Sequence, residues 1–217
     1  MGQEVLTPAQ KIVLQAVLSD ANLANFYLSG GTALSAFYLR HRVSDDLDFF
    51  SFEKPDGVFI HAFAERLRGL LKTSSMRFER IFDRNLFFYG TSGGGELKIE
   101  FTHYPFRQLD KPNNFTGLAV DSLRDVAANK LMAMLDRFEP KDFVDLYFLL
   151  QDRKLSEVWE DAQVKFGAKI DPLFLGGELA KARRVSALPK MLKPLTVHRL
   201  KNFFTQLAKE LAPDVLI

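Results

Sequence analysis

The sequence predicts an α+β chain, an N-terminal mixed β-sheet with flanking helices followed by a C-terminal helical region. Three observations carry that expectation. Short helix-like and strand-like segments interleave through the first half. Three successive runs rich in aromatic and β-branched residues, MRFERIFD, NLFFYGT and ELKIEFTHY, read as strands. From Asp121 onward every segment has helical spacing, punctuated by Pro140, Pro172, Pro189 and Pro194. These features place one α/β domain at residues 1–115 and a helical domain at 116–217, with the join near 112–120.

Each element has a local reason. Thr7-Pro8 offers a capping hydroxyl and a first-turn proline, so a helix starts there, with Ile12, Leu14, Val17 and Leu18 as its apolar side, and ends near Asp20. Asn25–Ser29 reads as a short strand, Thr32–Arg40 as a helix and Leu47–Ser51 as a second strand. Residues 58–72 carry Phe59, Phe63, Leu67, Leu70 and Leu71 at helical spacing. The three aromatic strands follow, with Gly93-Gly94-Gly95 turning the chain before the last. Helices are then expected over SLRDVAANKLMAMLDRF, PKDFVDLYFLLQD, LSEVWEDAQVKF, Pro172 to Arg184, and TVHRLKNFFTQLAKEL.

Composition narrows the function classes. An apolar fraction of 47% supplies a sizeable core, and the absence of cysteine excludes disulfides, thiolate metal sites and thiol catalysis. No apolar run approaches the ~18 residues of a membrane span, and the first residues lack a basic stretch followed by an apolar core, so a soluble, cytoplasmic protein with no membrane partner is expected. Net charge is only +2, but residues 181–201 hold seven Lys or Arg and no acid. That stretch is either a solvated helix face or a surface for an anionic partner.

The chemistry concentrates in LSGGTALSAFYLRHRVSDDLDFF, residues 28–50. Gly30, Gly31 and Thr32 form a turn between a strand and a helix start, where backbone N–H groups favour a phosphate; a tight turn needing positive φ is the plainer account of a glycine pair. Asp46 and Asp48 share a face of the following strand, Leu47 and Phe49 take the other, and Asp45 faces away. Two adjacent carboxylates repel unless a cation lies between them, and Mg²⁺ (or Mn²⁺) is the hard ion that also accepts phosphate oxygens. Lys98 and Glu100 share a face of a later strand, and Glu100 is the candidate third acid, either as metal ligand or as acceptor of a hydroxyl proton. His103 is assigned no role.

These blocks together resemble the AbiEii/AbiGii toxin family within the polymerase-β-like nucleotidyltransferase superfamily. Gly30-Gly31-Thr32 precedes Arg42-Val43-Ser44-Asp45-Asp46-Leu47-Asp48, similar to R-x-S-x-D-h-D; Lys98-Ile99-Glu100 matches K-I-E; Lys130-Leu131-Met132-Ala133 is similar to K-[LV]-x-[AV]; and residues 137–146 resemble R-x-x-x-[RK]-D-x-x-D-[IL], with Lys141 where arginine is common. On a helix, Asp142 and Asp145 share a face, and Arg137 and Lys141 would share a basic edge. The resemblance implies a nucleotidyltransferase that moves a nucleoside monophosphate from a nucleoside triphosphate to an acceptor hydroxyl. It implies nucleotide binding by Gly30, Gly31, Thr32, Lys98 and Lys130, metal binding by Asp46, Asp48 and Glu100, and a cleft shaped by Asp142 and Asp145, which would activate a hydroxyl or orient Lys130. The acceptor stays open among an RNA end, such as a tRNA, a protein side chain and a small molecule, and a cognate antitoxin is an expected partner. Two other classes compete: an inactive nucleotide- or RNA-binding interaction protein, and a metal-dependent phosphoester hydrolase.

Overall fold

The computed structural model describes residues 5–91 and 94–211. It is a mixed α+β fold with a seven-stranded sheet, and its residues gather into two compact units. The first comprises the chain up to Phe37, Ser44–Phe106 and Lys111–Ser122; the second comprises Tyr38–Val43, Arg107–Asp110 and the chain from Leu123 onward.

The first unit opens with α1 (Pro8–Leu18), started by a capping box in which Gln10 N–H donates to Thr7 Oγ1 and Thr7 N–H donates to Gln10 Oε1. The chain then forms β1 (Tyr27–Ser29) and α2 (Gly30–Ala33), which winds on as a π-helix over Leu34–Leu39. Next come β2 (Leu47–Ser51), α3 (Gly57–Leu70), β3 (Met76–Ile81), β4 (Arg84–Gly90) and β5 (Glu96–His103). Gly94 turns the chain before β5 at φ +78°, while Gly93 lies outside the described residues. Two strands that the sequence did not foretell, β6 (Asn113–Phe115) and β7 (Leu118–Val120), make a hairpin where the domain join was expected. Three residues are too few for an alternating pattern to show.

Sheet order is β3-β4-β5-β2-β1-β7-β6. The pairs β2–β5 and β1–β7 are parallel and the remaining pairs antiparallel. Side-chain alternation sorts the central strands: Leu47, Phe49, Ile99 and Phe101 are fully buried on one face, and Phe49 stacks on Phe101 with ring centroids 5.3 Å apart. Parallel register sets Asp48 beside Glu100, so the acids of both strands occupy the opposite face.

The second unit is helical: α4 (Leu123–Asp136), α5 (Pro140–Leu149), α6 (Leu155–Phe166), α7 (Pro172–Ala180), a 3₁₀ turn at Lys181–Arg184, and α8 (Val197–Glu210). α4 packs on α5 and α6, and α7 packs on α8. Phe143 of α5 meets Phe204 of α8 edge-on at 5.3 Å. Asp125 on α4 accepts from the backbone N–H groups of Leu109 and Asp110, both at 3.0 Å, and from Lys165 Nζ at 2.6 Å, which ties the 107–110 segment to the helices.

Candidate active site

Two charge clusters carry the residues singled out by the sequence, one in each unit. In the first, Gly30 follows β1 at φ +70°, a backbone conformation that disfavours any side chain. A Cβ on Gly30 would overlap Asp48 Oδ2 and come within 3.1 Å of its Cγ. The glycine therefore serves both the turn and the close approach of a carboxylate. Thr32 is buried, and its hydroxyl donates to the backbone carbonyl of Asp46. Here that hydroxyl fastens the start of β2 to the glycine turn. Gln10 reaches the same segment from α1, with Nε2 donating to Ser44 O at 2.8 Å and Asp45 O at 3.1 Å. Asp45 itself is exposed.

The opposed carboxylates do have a cation between them, and the chain supplies it. Lys98 Nζ lies 3.3 Å from Asp46 Oδ2, 3.4 Å from Asp48 Oδ1 and 3.5 Å from Glu100 Oε2. Burial works against the Lys98 ammonium, but Asp48, Asp46 and Glu100 outweigh it and raise its pKa. Glu100 is held more tightly. Arg84 grips it as a fork, Nε to Oε1 at 2.6 Å and Nη2 to Oε2 at 2.7 Å, and Thr102 Oγ1 donates to Oε1 at 2.6 Å. Burial pushes the Glu100 pKa up, yet the Arg84 and Thr102 hydrogen bonds prevail and hold it below the usual glutamate value. Among the described residues, no group of three or more His, Cys, Asp or Glu side chains is arranged to hold a metal ion.

The second cluster is buried. Asp145 on α5 accepts from Arg42 Nε at 2.6 Å and Nη2 at 2.8 Å and pairs with Lys130 Nζ of α4 at 2.7 Å; His41 Nε2 lies 2.7 Å from its Oδ1. Because a carboxylate only accepts, the His41 Nε2 carries the proton. Asp142 takes Lys130 at 3.0 Å and Arg137 Nε at 3.1 Å. Burial alone would raise Asp145, but Lys130 and Arg42 hold it well below the carboxylate range. Lys130 is raised by Asp145 and Asp142 against its own burial, whereas burial lowers His41.

The sequence thus brought Asp46, Asp48, Lys98 and Glu100 to one sheet face, and Lys130, Asp142 and Asp145 to one helical cluster. It missed Gln10, Arg84, Thr102 and His41, and it assigned Arg42 no role. The expected basic edge of Arg137 and Lys141 does not form on one helix: α4 ends at Asp136 and α5 starts at Pro140, whose ring cannot continue a helix, so Arg137 bends toward Asp142 instead.

A protein of Aquifex aeolicus strain VF5, itself uncharacterised, is 36% identical over 149 residues, covering 67% of this chain and 68% of its own length. Among solved structures, a candidate nucleotidyltransferase from Helicobacter pylori superposes with a TM-score of 0.61 at 19% identity, over 99% of this chain and 97% of that one. MenT4, a nucleotidyltransferase toxin of Mycobacterium tuberculosis H37Rv, gives a TM-score of 0.55 at 16% identity, over 94% of this chain and 87% of its own. These likenesses establish the shared fold. The sequence model described as the nucleotidyl transferase AbiEii toxin of type IV toxin–antitoxin systems matches residues 12–213, and the chain belongs to that family of nucleotidyltransferases.

Proposed function

We propose that this protein transfers a nucleoside monophosphate from a nucleoside triphosphate to an acceptor hydroxyl, using a divalent cation held by Asp46 and Asp48. The observation that carries the reading is the convergence of both carboxylates on one position already occupied by positive charge, beside a glycine with no room for a side chain. Magnesium needs few protein ligands: one or two carboxylates suffice when phosphate oxygens and water complete its shell. The donor set fits that demand. Once bound, Mg²⁺ (or Mn²⁺) would neutralise the triphosphate and polarise its α-phosphorus.

The chain's own residues divide the remaining work. Gly30 and Gly31 bring backbone N–H groups close to the phosphates, and Thr32 fixes the position of Asp46. Glu100, with both oxygens committed to Arg84, Thr102 and Lys98 and its pKa lowered, is ill suited to take a proton; we assign it as the anchor of two cations instead of a third metal ligand. Lys130, Asp142 and Asp145 match the family's downstream motifs, and Asp142 and Asp145 fix the Lys130 ammonium. An RNA end is the acceptor that the family resemblance and the basic stretch at 181–201 favour, and a cognate antitoxin in the cytoplasm is the expected partner.

The test is incubation of the full chain with Mg²⁺, labelled nucleoside triphosphates and total RNA. Label should move to RNA with wild type and fail to move with Asp46→Asn or Asp48→Asn, while the thermal midpoints of both variants stay near wild type. Transfer that survives in both variants refutes the assignment. Binding without turnover would favour an interaction protein, and release of phosphate without transfer a hydrolase.

A further inference from the structure

We propose that Lys98 is an exchangeable internal cation: its ammonium fills the position between Asp46 and Asp48 in the metal-free protein and yields it when a divalent ion arrives. The inference rests on the metal reading given above and adds to it a competitor built into the chain. Its starting point is a contrast in geometry. Lys98 Nζ stands at nearly equal distances of 3.3, 3.4 and 3.5 Å from three carboxylates, all longer than the 2.6 and 2.7 Å bonds that Arg84 makes to Glu100 a few ångströms away. Charge-assisted hydrogen bonds committed to one partner are shorter, about 2.7–2.9 Å. Lys98 is therefore held by the summed field of three acids and by no single strong bond.

Three further features let it leave. A lysine ammonium is a point charge on a flexible stem with no preferred donor plane, unlike the guanidinium fork. Its side chain is 22% exposed and Asp46 is 32% exposed, so water and ions reach the pair. Glu100 stays behind as a tether, since Arg84 and Thr102 hold its carboxylate in place whether or not Lys98 is there. Displaced from the aspartates, the ammonium remains on the same sheet face, anchored at Glu100 and free of its two other partners. A triphosphate brought by the metal is the anion that would reclaim it.

Charge balance supports the exchange. Asp46, Asp48 and Glu100 against Lys98 and Arg84 leave this cluster at −1, a modest imbalance for a partly exposed face. Without Lys98 the same group would stand at −2 and metal-free protein would carry unscreened repulsion between neighbouring acids. Lys98 thus stabilises the empty site and weakens metal binding in the absence of nucleotide.

The experiment is Mn²⁺ binding to the full chain, read by the loss of the free-ion electron paramagnetic resonance signal, without nucleotide and then with a non-hydrolysable triphosphate analogue. Lys98→Met should bind Mn²⁺ alone on the order of tenfold tighter than wild type, while its metal-free thermal midpoint falls. With Mn²⁺ saturating, the same variant should bind the analogue more weakly. Lys98→Gln, which keeps a polar stem, should behave alike and covers the case of a poorly folded methionine variant. Equal or weaker Mn²⁺ binding in both variants overturns the exchange. Absence of Mn²⁺ binding in wild type and in both Lys98 variants overturns the metal reading itself, whereas binding lost only in Asp46→Asn, with Lys98 variants unchanged, leaves that reading standing and removes the competitor.

Discussion

Replacing Asp145 by Asn should strongly destabilise the second unit. The carboxylate has no exposed surface and is reached by Arg42 Nε, Arg42 Nη2, Lys130 Nζ and His41 Nε2 at distances between 2.6 and 2.8 Å. An amide offers one oxygen and turns its NH₂ toward donors, so at least one cation loses its acceptor and meets a like dipole. Lys130 would keep Asp142, but Arg42 would lose one of its two bonds to position 145 and face an NH₂ in its place. Breaking a buried pair on one side costs about 3–5 kcal/mol, a large share of the roughly 5–15 kcal/mol that holds a domain folded. Urea unfolding at pH 7, followed by the fluorescence of Trp159, reports this unit selectively, because Trp159 is the only tryptophan and lies on α6. With a slope of about 2 kcal/mol per molar urea, the midpoint should drop by roughly 2 M. Buried pairs are poorly screened, so 0.5 M salt should leave the difference intact. A change below about 1 kcal/mol would show that the cluster does not depend on Asp145. A large change has a second meaning: loss of transfer in this variant would report folding before it reported catalysis.

Other perturbations follow from the same geometry. Gly30→Ala should cost about 1–2 kcal/mol through its left-handed backbone and cut transfer steeply by displacing Asp48; Gly57→Ala, at a helix start with nothing near the new Cβ, should be neutral or stabilising by up to about 1 kcal/mol, and paired thermal melts and transfer assays separate the two. Burial lowers the His41 pKa in the folded state, so between that value and the unfolded value near 6.5 the unfolded chain binds the extra proton. Stability is then fully present above about pH 6.5 and declines as pH falls through the window; His41→Asn should flatten that slope in melts from pH 7.5 to 5, and an unchanged slope would discard the assignment. Gln10→Ala removes both the reciprocal cap on α1 and the grip on the carbonyls of Ser44 and Asp45, so a loss of about 1–2 kcal/mol should accompany reduced transfer; stability lost with full transfer would show that α1 does not position Asp46.

The legible part of the site was the part written in period two. Leu47, Phe49, Ile99 and Phe101 alternate with Asp48, Lys98 and Glu100, so burial of one set dictated that the acids share the other face. Gly30 was legible for a related reason, since a glycine before a helix start announces a backbone need. Arg84 was not, because its meeting with Glu100 depends on the antiparallel register of β4 on β5, which sets Arg84 opposite Thr102 and diagonal to Glu100. Nothing local to NLFFYGT encodes that register. The buried cluster was half legible: the three-residue spacing put Asp142 and Asp145 on one face, yet charged residues on a helix suggest a wet surface, and it is the arrival of His41 and Arg42 at Asp145 and of Lys130 and Arg137 at Asp142 that explains how both acids are fully buried.

The two clusters answer one electrostatic problem in opposite ways, and the difference bears on which of them receives a ligand. Around Asp145 the cations are permanent: a guanidinium fork and a lysine with 8% exposure, bonded at hydrogen-bond length and sealed from water. A metal or phosphate arriving there would have to break bonds that also hold α4 and α5 together. Around Asp46 and Asp48 the nearest cation is a loosely held ammonium with access to solvent, and the tight Arg84 fork is spent on Glu100, which lies directly beside Asp48 in the parallel register. An ion that displaced Lys98 would leave every backbone bond of β2 and β5 in place. Under the proposed function, the acids available for exchange are therefore those on the sheet, and Lys98 is the residue that would move when a metal ion arrives.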